Sequence, residues 1–147
     1  MRSLAPLCVL MTMACGGIGL SPSDTGLVTS TLGVNPAGTI DFGSHNVNTE
    51  LPAKKDVVLF ADGDTPLPII DVFLEDSSGG VFKIPDSLPL PLIIAPDGDF
   101  PVRMKFNPKE VTIYYGELSI QFDDGSAEGA MINRPLMGEG CSDSDDC

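Results

Sequence analysis

Tryptophan is missing from these 147 residues, histidine occurs once, and Lys and Arg together number 8 against 21 acids. Each shortage removes a class of function. With His45 as the sole imidazole, neither a histidine-based zinc site nor a Ser-His-Asp triad is to be expected. No nucleophile elbow and no phosphate-cradling glycine-rich loop occurs. A carboxylate pair for glycoside chemistry also needs a substrate cleft, which a chain of this size rarely supplies. The formal charge of −13 repels phosphate backbones and anionic headgroups, and so argues against nucleic-acid binding. Long stretches of Ala, Leu, Glu and Lys at helical spacing are absent too, which excludes an all-helical fold. No catalytic residue, metal site or cofactor is expected.

What the chain does have is punctuation. Gly (16) and Pro (13) are frequent, and between them the hydrophobic period is two. Strands are expected at Thr39–Gly43, continuing to Asn48, then at Lys54–Ala61, Leu67–Leu74, Val81–Ile84, Phe100–Phe106, Thr112–Phe122 and Ala130–Met137. The Leu-Pro alternation within Leu88–Ile94 is an edge strand or an extended connection, because proline cannot donate to a ladder. Turn signals recurring every eight to twelve residues or so are the mark of a β-sandwich. The alternation points Phe42, Val57, Leu59, Leu67, Ile69, Val72, Leu74 and Phe82 inward, together with Ile94, Val102, Met104, Phe106, Tyr114, Leu118, Ile120 and Phe122. Their neighbours Arg103, Lys105, Glu117, Ser119 and Gln121 belong to a wet face. The fold class is therefore an all-β antiparallel sandwich of about seven strands over residues 38–140.

Residues 1–14 read as an export signal: the basic start Met1-Arg2 precedes an apolar run, Leu4 to Ala14, too short and interrupted to span a bilayer. The run ends at Ala14-Cys15, followed by Gly16-Gly17. A small residue before a cysteine at this place resembles the bacterial lipobox, which makes Cys15 the candidate for lipidation. Thr12 stands where an aliphatic residue is usual, and Thr12-Met13-Ala14 also suits an ordinary signal peptidase that would release a free protein. Residues 15–37, rich in Gly, Ser, Thr and Pro, form the lipobox cysteine and a flexible tether, whose typical span is about 25 Å. Cys8 leaves with the signal, so Cys141 and Cys147 remain to form a disulfide in an oxidising compartment. Closing so short a loop is worth about 2.4 kcal/mol in the chain-entropy picture, confined to the acidic tail 141–147.

The strand residues also resemble the immunoglobulin-like domains named for abnormal-spindle and Hydin proteins (ASH domains) and their bacterial "choice-of-anchor" relatives. The resemblance rests on Ile40-Asp41-Phe42-Gly43, on Asp62-Gly63-Asp64-Thr65-Pro66-Leu67, and on Ala95-Pro96-Asp97-Gly98 followed by Val102 to Pro108. It continues with Tyr114-Tyr115-Gly116-Glu117-Leu118-Ser119-Ile120 and closes with Pro135 to Gly140, about 100 residues in all. Ala61 stands where the pattern usually has Asn, and the Leu-Pro repeat is unusual. The resemblance implies an immunoglobulin-like sandwich without catalytic residues, of the kind found in exported and often anchored bacterial proteins.

Three carboxylate-glycine turns invite a calcium reading: Asp62-Gly63-Asp64, Asp97-Gly98-Asp99 and Asp123-Asp124-Gly125. The same residues are what tight turns require. Tyr114 falls where a tyrosine corner sits in this architecture. Tyr115, Phe60 and Phe73, with Ile70, are candidate partner contacts on an exposed face that the Leu-Pro segment would otherwise cover. The expected function is a non-catalytic, lipid-anchored module making protein–protein contacts in the bacterial envelope. Its partner is an envelope or surface protein, with the membrane reached through lipid on Cys15. A secreted adhesin or matrix component, or an accessory domain binding carbohydrate or calcium, is the alternative. The location is the outer membrane or cell surface, otherwise periplasmic or secreted.

Overall fold

The computed structural model describes residues 30–75, 79–142 and 147. The export signal, Cys15 and most of the tether lie outside them. Every regular element among the described residues is a strand: β1 (Thr31–Asn35), β2 (Ile40–Asn46), β3 (Ala53–Asp62), β4 (Leu67–Glu75), β5 (Phe82–Lys83), β6 (Leu92–Ile94), β7 (Asp99–Phe106), β8 (Ile113–Phe122) and β9 (Ala130–Cys141). They make two sheets, A in the order β1-β3-β7-β5 and B in the order β2-β9-β8-β4-β6. All pairings are antiparallel except β2 with β9.

The period of two decides which side of each sheet is buried. Val57, Leu59, Val102, Met104 and Phe106 from sheet A meet Leu67, Ile69, Leu118 and Ile120 from sheet B, each with essentially no exposed surface. Of the sixteen residues expected inside, fourteen are fully buried, and the other two, Phe42 and Leu74, are partly buried against the same core. Phe82, Phe106 and Phe42 form an aromatic cluster with ring centroids 5.0 to 5.6 Å apart, and Tyr114 meets Phe106 edge-on at 5.8 Å. Offset and edge geometries of this kind add to the area term.

The Tyr114 hydroxyl closes the β7–β8 connection. It accepts from the Glu110 amide at 2.8 Å and the Lys109 amide at 3.3 Å, and donates to the Glu110 carbonyl at 3.2 Å. This is the tyrosine-corner arrangement, the phenol hydrogen-bonding a backbone four residues upstream. Tyr114→Phe removes the oxygen and leaves the Lys109 and Glu110 backbone groups short of a partner. It is expected to destabilise the domain by about 2 kcal/mol, measurable as a fall in the urea midpoint with an unchanged m value.

The structure corrects two boundaries. Residues 31–35, placed in the tether, form β1, which pairs with β3 and buries Leu32 and Val34. Ser30 anchors its start through the Thr65 backbone carbonyl, and accepts from the Thr65 amide at 3.0 Å. In the Leu-Pro segment only Leu92–Ile94 is strand. Leu88 and Leu90 instead pack partly buried against the core.

Candidate interaction surfaces

Register assigns each candidate contact to a face. Tyr115 lies opposite Met137, and Phe73 opposite Ser119, with Leu118 and Leu74 between them turned to the core. Tyr115 and Phe73 therefore share the outer face of sheet B. Phe60 does not join them, because it sits opposite Gly33 and Asp99 on the outer face of sheet A. Its ring lies where a side chain at position 33 would go, which explains a glycine in the middle of a strand. The four aromatic and aliphatic candidates are thus divided between the two sides of the sandwich. The Leu-Pro segment divides between the sheets: Leu88 and Pro89 flank β7, lining a hollow of about 210 Å³ with Phe100, Pro101 and Arg103, while Leu92–Ile94 pairs with β4 at the edge of sheet B.

Sheet B carries the larger apolar surface. Tyr115 and Met131 are each 58% exposed and Ile113 is 50% exposed. Ile70, the extra residue where the β4–β8 register shifts between Ile69 and Asp71, adds to it. Ile113 and Met131 were legible as outward positions from the alternation around Tyr114 and Ile132, but only pairing shows that they share a side with Phe73. Acids surround the patch: Asp41, Asp71, Glu75, Glu117 and Glu139 stand on the strands of sheet B. Ser119, expected on the wet face, is buried between its cross-strand neighbours Phe73 and Asn133.

The carboxylates of the Asp123-Asp124-Gly125 turn are engaged by its own backbone. The Asp123 carboxylate accepts from the Gly125 amide at 2.8 Å, and Asp124 from the Ser126 amide at 3.0 Å. The Ser126 hydroxyl foremost, and then the Ser126 amide, hold the exposed Asp124 carboxyl below its ordinary 3.8. A carboxyl lowered in the folded state stabilises it at neutral pH, and that contribution fades as pH falls from about 4 through the lowered value. Asp97 itself takes the left-handed conformation at φ 55°, which Asp tolerates in a tight turn. Among the described residues no three His, Cys, Asp or Glu side chains come together as a cation site. His45 lies within β2, its Nε2 2.6 Å from the Leu51 carbonyl oxygen.

Cys141 and Cys147 are joined by a disulfide, with Cα atoms 5.9 Å apart. Cys141 is buried at the end of β9 beside β2, whereas Cys147 is exposed. The bridge ties the acidic tail back to the last strand and crosses no sheet.

No family profile and no curated protein matches the sequence. Solved structures do. The ASH/PapD-like domain of human CEP192 (PapD-like domain 7) is similar over 98% of this chain and 99% of its own, at 12% identity and TM-score 0.55. A protein of unknown function from Porphyromonas gingivalis W83 is similar over 82% of this chain and 51% of its own, at 17% identity and TM-score 0.57. The secreted serine protease VesC from Vibrio cholerae matches over 80% of this chain but 24% of its own length, at 12% identity and TM-score 0.53. This chain thus spans about half and a quarter of the latter two proteins. Identities this low speak for architecture. The two-sheet arrangement, the tyrosine corner and these likenesses converge on an immunoglobulin-like sandwich, the architecture that the ASH/PapD-like domain also has.

Proposed function

We propose that this chain is a non-catalytic module that works by protein–protein contact in the bacterial envelope, held to the membrane by lipid on Cys15. The observation that carries the contact reading is the outer face of sheet B. There Tyr115 and Ile113 stand at least half exposed at one end of β8 and Met131 at the other, with Glu117, Glu75 and Asp71 on the strands between and beside them. Core packing accounts for the inner faces and turn chemistry for the acidic loops, but neither accounts for these side chains. An aromatic anchor among aliphatic neighbours with a polar rim is the composition of a contact surface. The envelope and the anchor rest on the sequence: a short apolar export run ending in Ala14-Cys15, then a Gly- and Ser-rich tether.

Two experiments test the two halves. In cells fed radiolabelled palmitate the full chain is expected to take up label, and Cys15→Ser to abolish it; label that survives Cys15→Ser would remove the anchor. For the contact surface, the immobilised full chain is compared with Tyr115→Ala in capture from envelope extracts. Removing an aromatic anchor is expected to weaken capture about tenfold or more, with Phe60→Ala as the opposite-face control. Equal capture by all three would overturn the assignment to sheet B.

A further inference from the structure

Three lysines stand in a row on the outer face of sheet A. Lys54 on β3 is directly opposite Lys105 on β7, which is directly opposite Lys83 on β5. Their neighbours Ala53, Phe106 and Phe82 turn to the core. Adjacent strands lie about 4.8 Å apart, so the row spans about 10 Å. Like charges in direct opposition destabilise a sheet. Among the described residues, none of the three pairs with an acid. The other cations of this region are matched. Lys55 turns the other way and donates to the Asp41 carbonyl, and Arg103 pairs with Asp56 at 3.3 Å.

Sheet B repeats the anomaly with the opposite sign. Glu75 on β4 is directly opposite Glu117 on β8, again with no cation paired to either among the described residues. The single cation in the strands of sheet B, Arg134, lies opposite Leu118 on the inner side. Tyr115 is two positions from Glu117, and Phe73 two from Glu75. One sandwich therefore carries an unpaired lysine row on one flat face and an unpaired glutamate row on the other. Both have the pitch of the same inter-strand repeat.

We propose that copies of this chain stack head to tail, the lysine row of sheet A in one copy seated on the glutamate row of sheet B in the next. The proposal rests on the reading of sheet B as a contact surface and names its partner: a second copy. Two different faces meet, so the contact is heterologous, and each added copy leaves a free face for another. The net charge of −13 opposes association and keeps it weak. Salt weakens a contact built on ion pairs, whereas a purely apolar contact would not respond in that direction.

Sedimentation velocity tests it on the full chain carrying Cys15→Ser, so that no lipid contributes. The mean sedimentation coefficient is expected to rise as protein approaches about 1 mM in about 0.1 M salt, and to fall back in about 1 M salt. Lys54→Glu/Lys105→Glu and Glu75→Lys/Glu117→Lys are each expected to remain monomeric, with unchanged circular dichroism. Mixed in equal amounts they are expected to associate in alternation, because the first variant is acidic on both faces and the second is basic on both. Association restored only in the mixture separates a broken interface from a broken fold. A wild-type chain monomeric throughout overturns the stacking, as does association indifferent to both charge changes. A monomer that instead binds polyglutamate through the lysine row also overturns it, in favour of a foreign acidic partner. If Tyr115→Ala still weakens envelope capture by a monomeric chain, stacking fails while the contact-surface reading stands.

Discussion

Gly140→Ala is expected to be the most damaging single-methyl change in the domain, destabilising it by about 3 kcal/mol or more. A Cβ at position 140 would fall on the Glu110 carbonyl oxygen, with Pro108 Cβ and Val47 Cγ1 each 3.0 Å away. None of these is the far end of a flexible side chain. The obstructing carbonyl is also the one that accepts from the Tyr114 hydroxyl. Gly140 in turn donates its amide to the Thr112 carbonyl at 2.8 Å. Making room for the methyl therefore moves the whole β7–β8 connection and loosens the tyrosine corner with it. Because Gly140→Ala and Tyr114→Phe act on one network, the double variant should lose less than the sum of the two. Urea unfolding of the two single variants and the double variant measures this directly. Additive losses would show that position 140 and the corner are independent.

Phe106→Ala is expected to cost about 3–5 kcal/mol, the range for emptying a buried aromatic site. Phe106 has no exposed surface, and its ring meets Phe42, Phe82 and Tyr114 at 5.6, 5.0 and 5.8 Å. It also lies over Gly138, where an added Cβ would stand 2.6 Å from the ring. The site draws on β2, β5, β7, β8 and β9 at once, so truncation removes contacts from both sheets. Domains of this size are stable by only about 5–15 kcal/mol, and the melting temperature is expected to drop by more than about 12 °C. Phe106→Leu, which keeps much of the volume, should lose less than half as much. A drop of under about 4 °C for Phe106→Ala, the shift that 1 kcal/mol makes, would mean the cluster is not the keystone of the core.

These two positions show how the sequence carried its information. Phe106 was legible because Val102-Arg103-Met104-Lys105-Phe106 alternates without a break, and a period of two fixes which side is buried. The closing Gly138 and Gly140 matched a pattern, but their reason was invisible: it depends on an aromatic ring and a carbonyl from other strands. β1 escaped notice for a related cause. Gly33 weakens its strand signal, and that glycine exists to accommodate Phe60 from the neighbouring strand. The turns were legible, since Asp-Gly chemistry is local. Faces were not. Phe60 and Tyr115 both read as exposed aromatics, and only the pairing of β3 with β1 and β8 with β9 places them on opposite sides. The lysine and glutamate rows are wholly a product of register, because Lys54, Lys83 and Lys105 are scattered in the chain and adjacent only in the sheet.

The division of labour that results is simple in physical terms. Inner faces are fixed by packing and loops by backbone needs, leaving the outer faces of the two sheets free to differ. Sheet A presents cations and Phe60, and sheet B presents acids beside Tyr115 and Ile113, with Met131 farther along the same face. Partner contact through sheet B is the central claim. Photo-crosslinking tests it most directly, with benzoylphenylalanine placed at position 115 or, as control, at position 97 in the exposed turn at one end of the sandwich. The full chain irradiated in living cells is expected to give a discrete adduct from position 115 and none from position 97. Adducts of equal yield from both positions, or none from position 115, would contradict it.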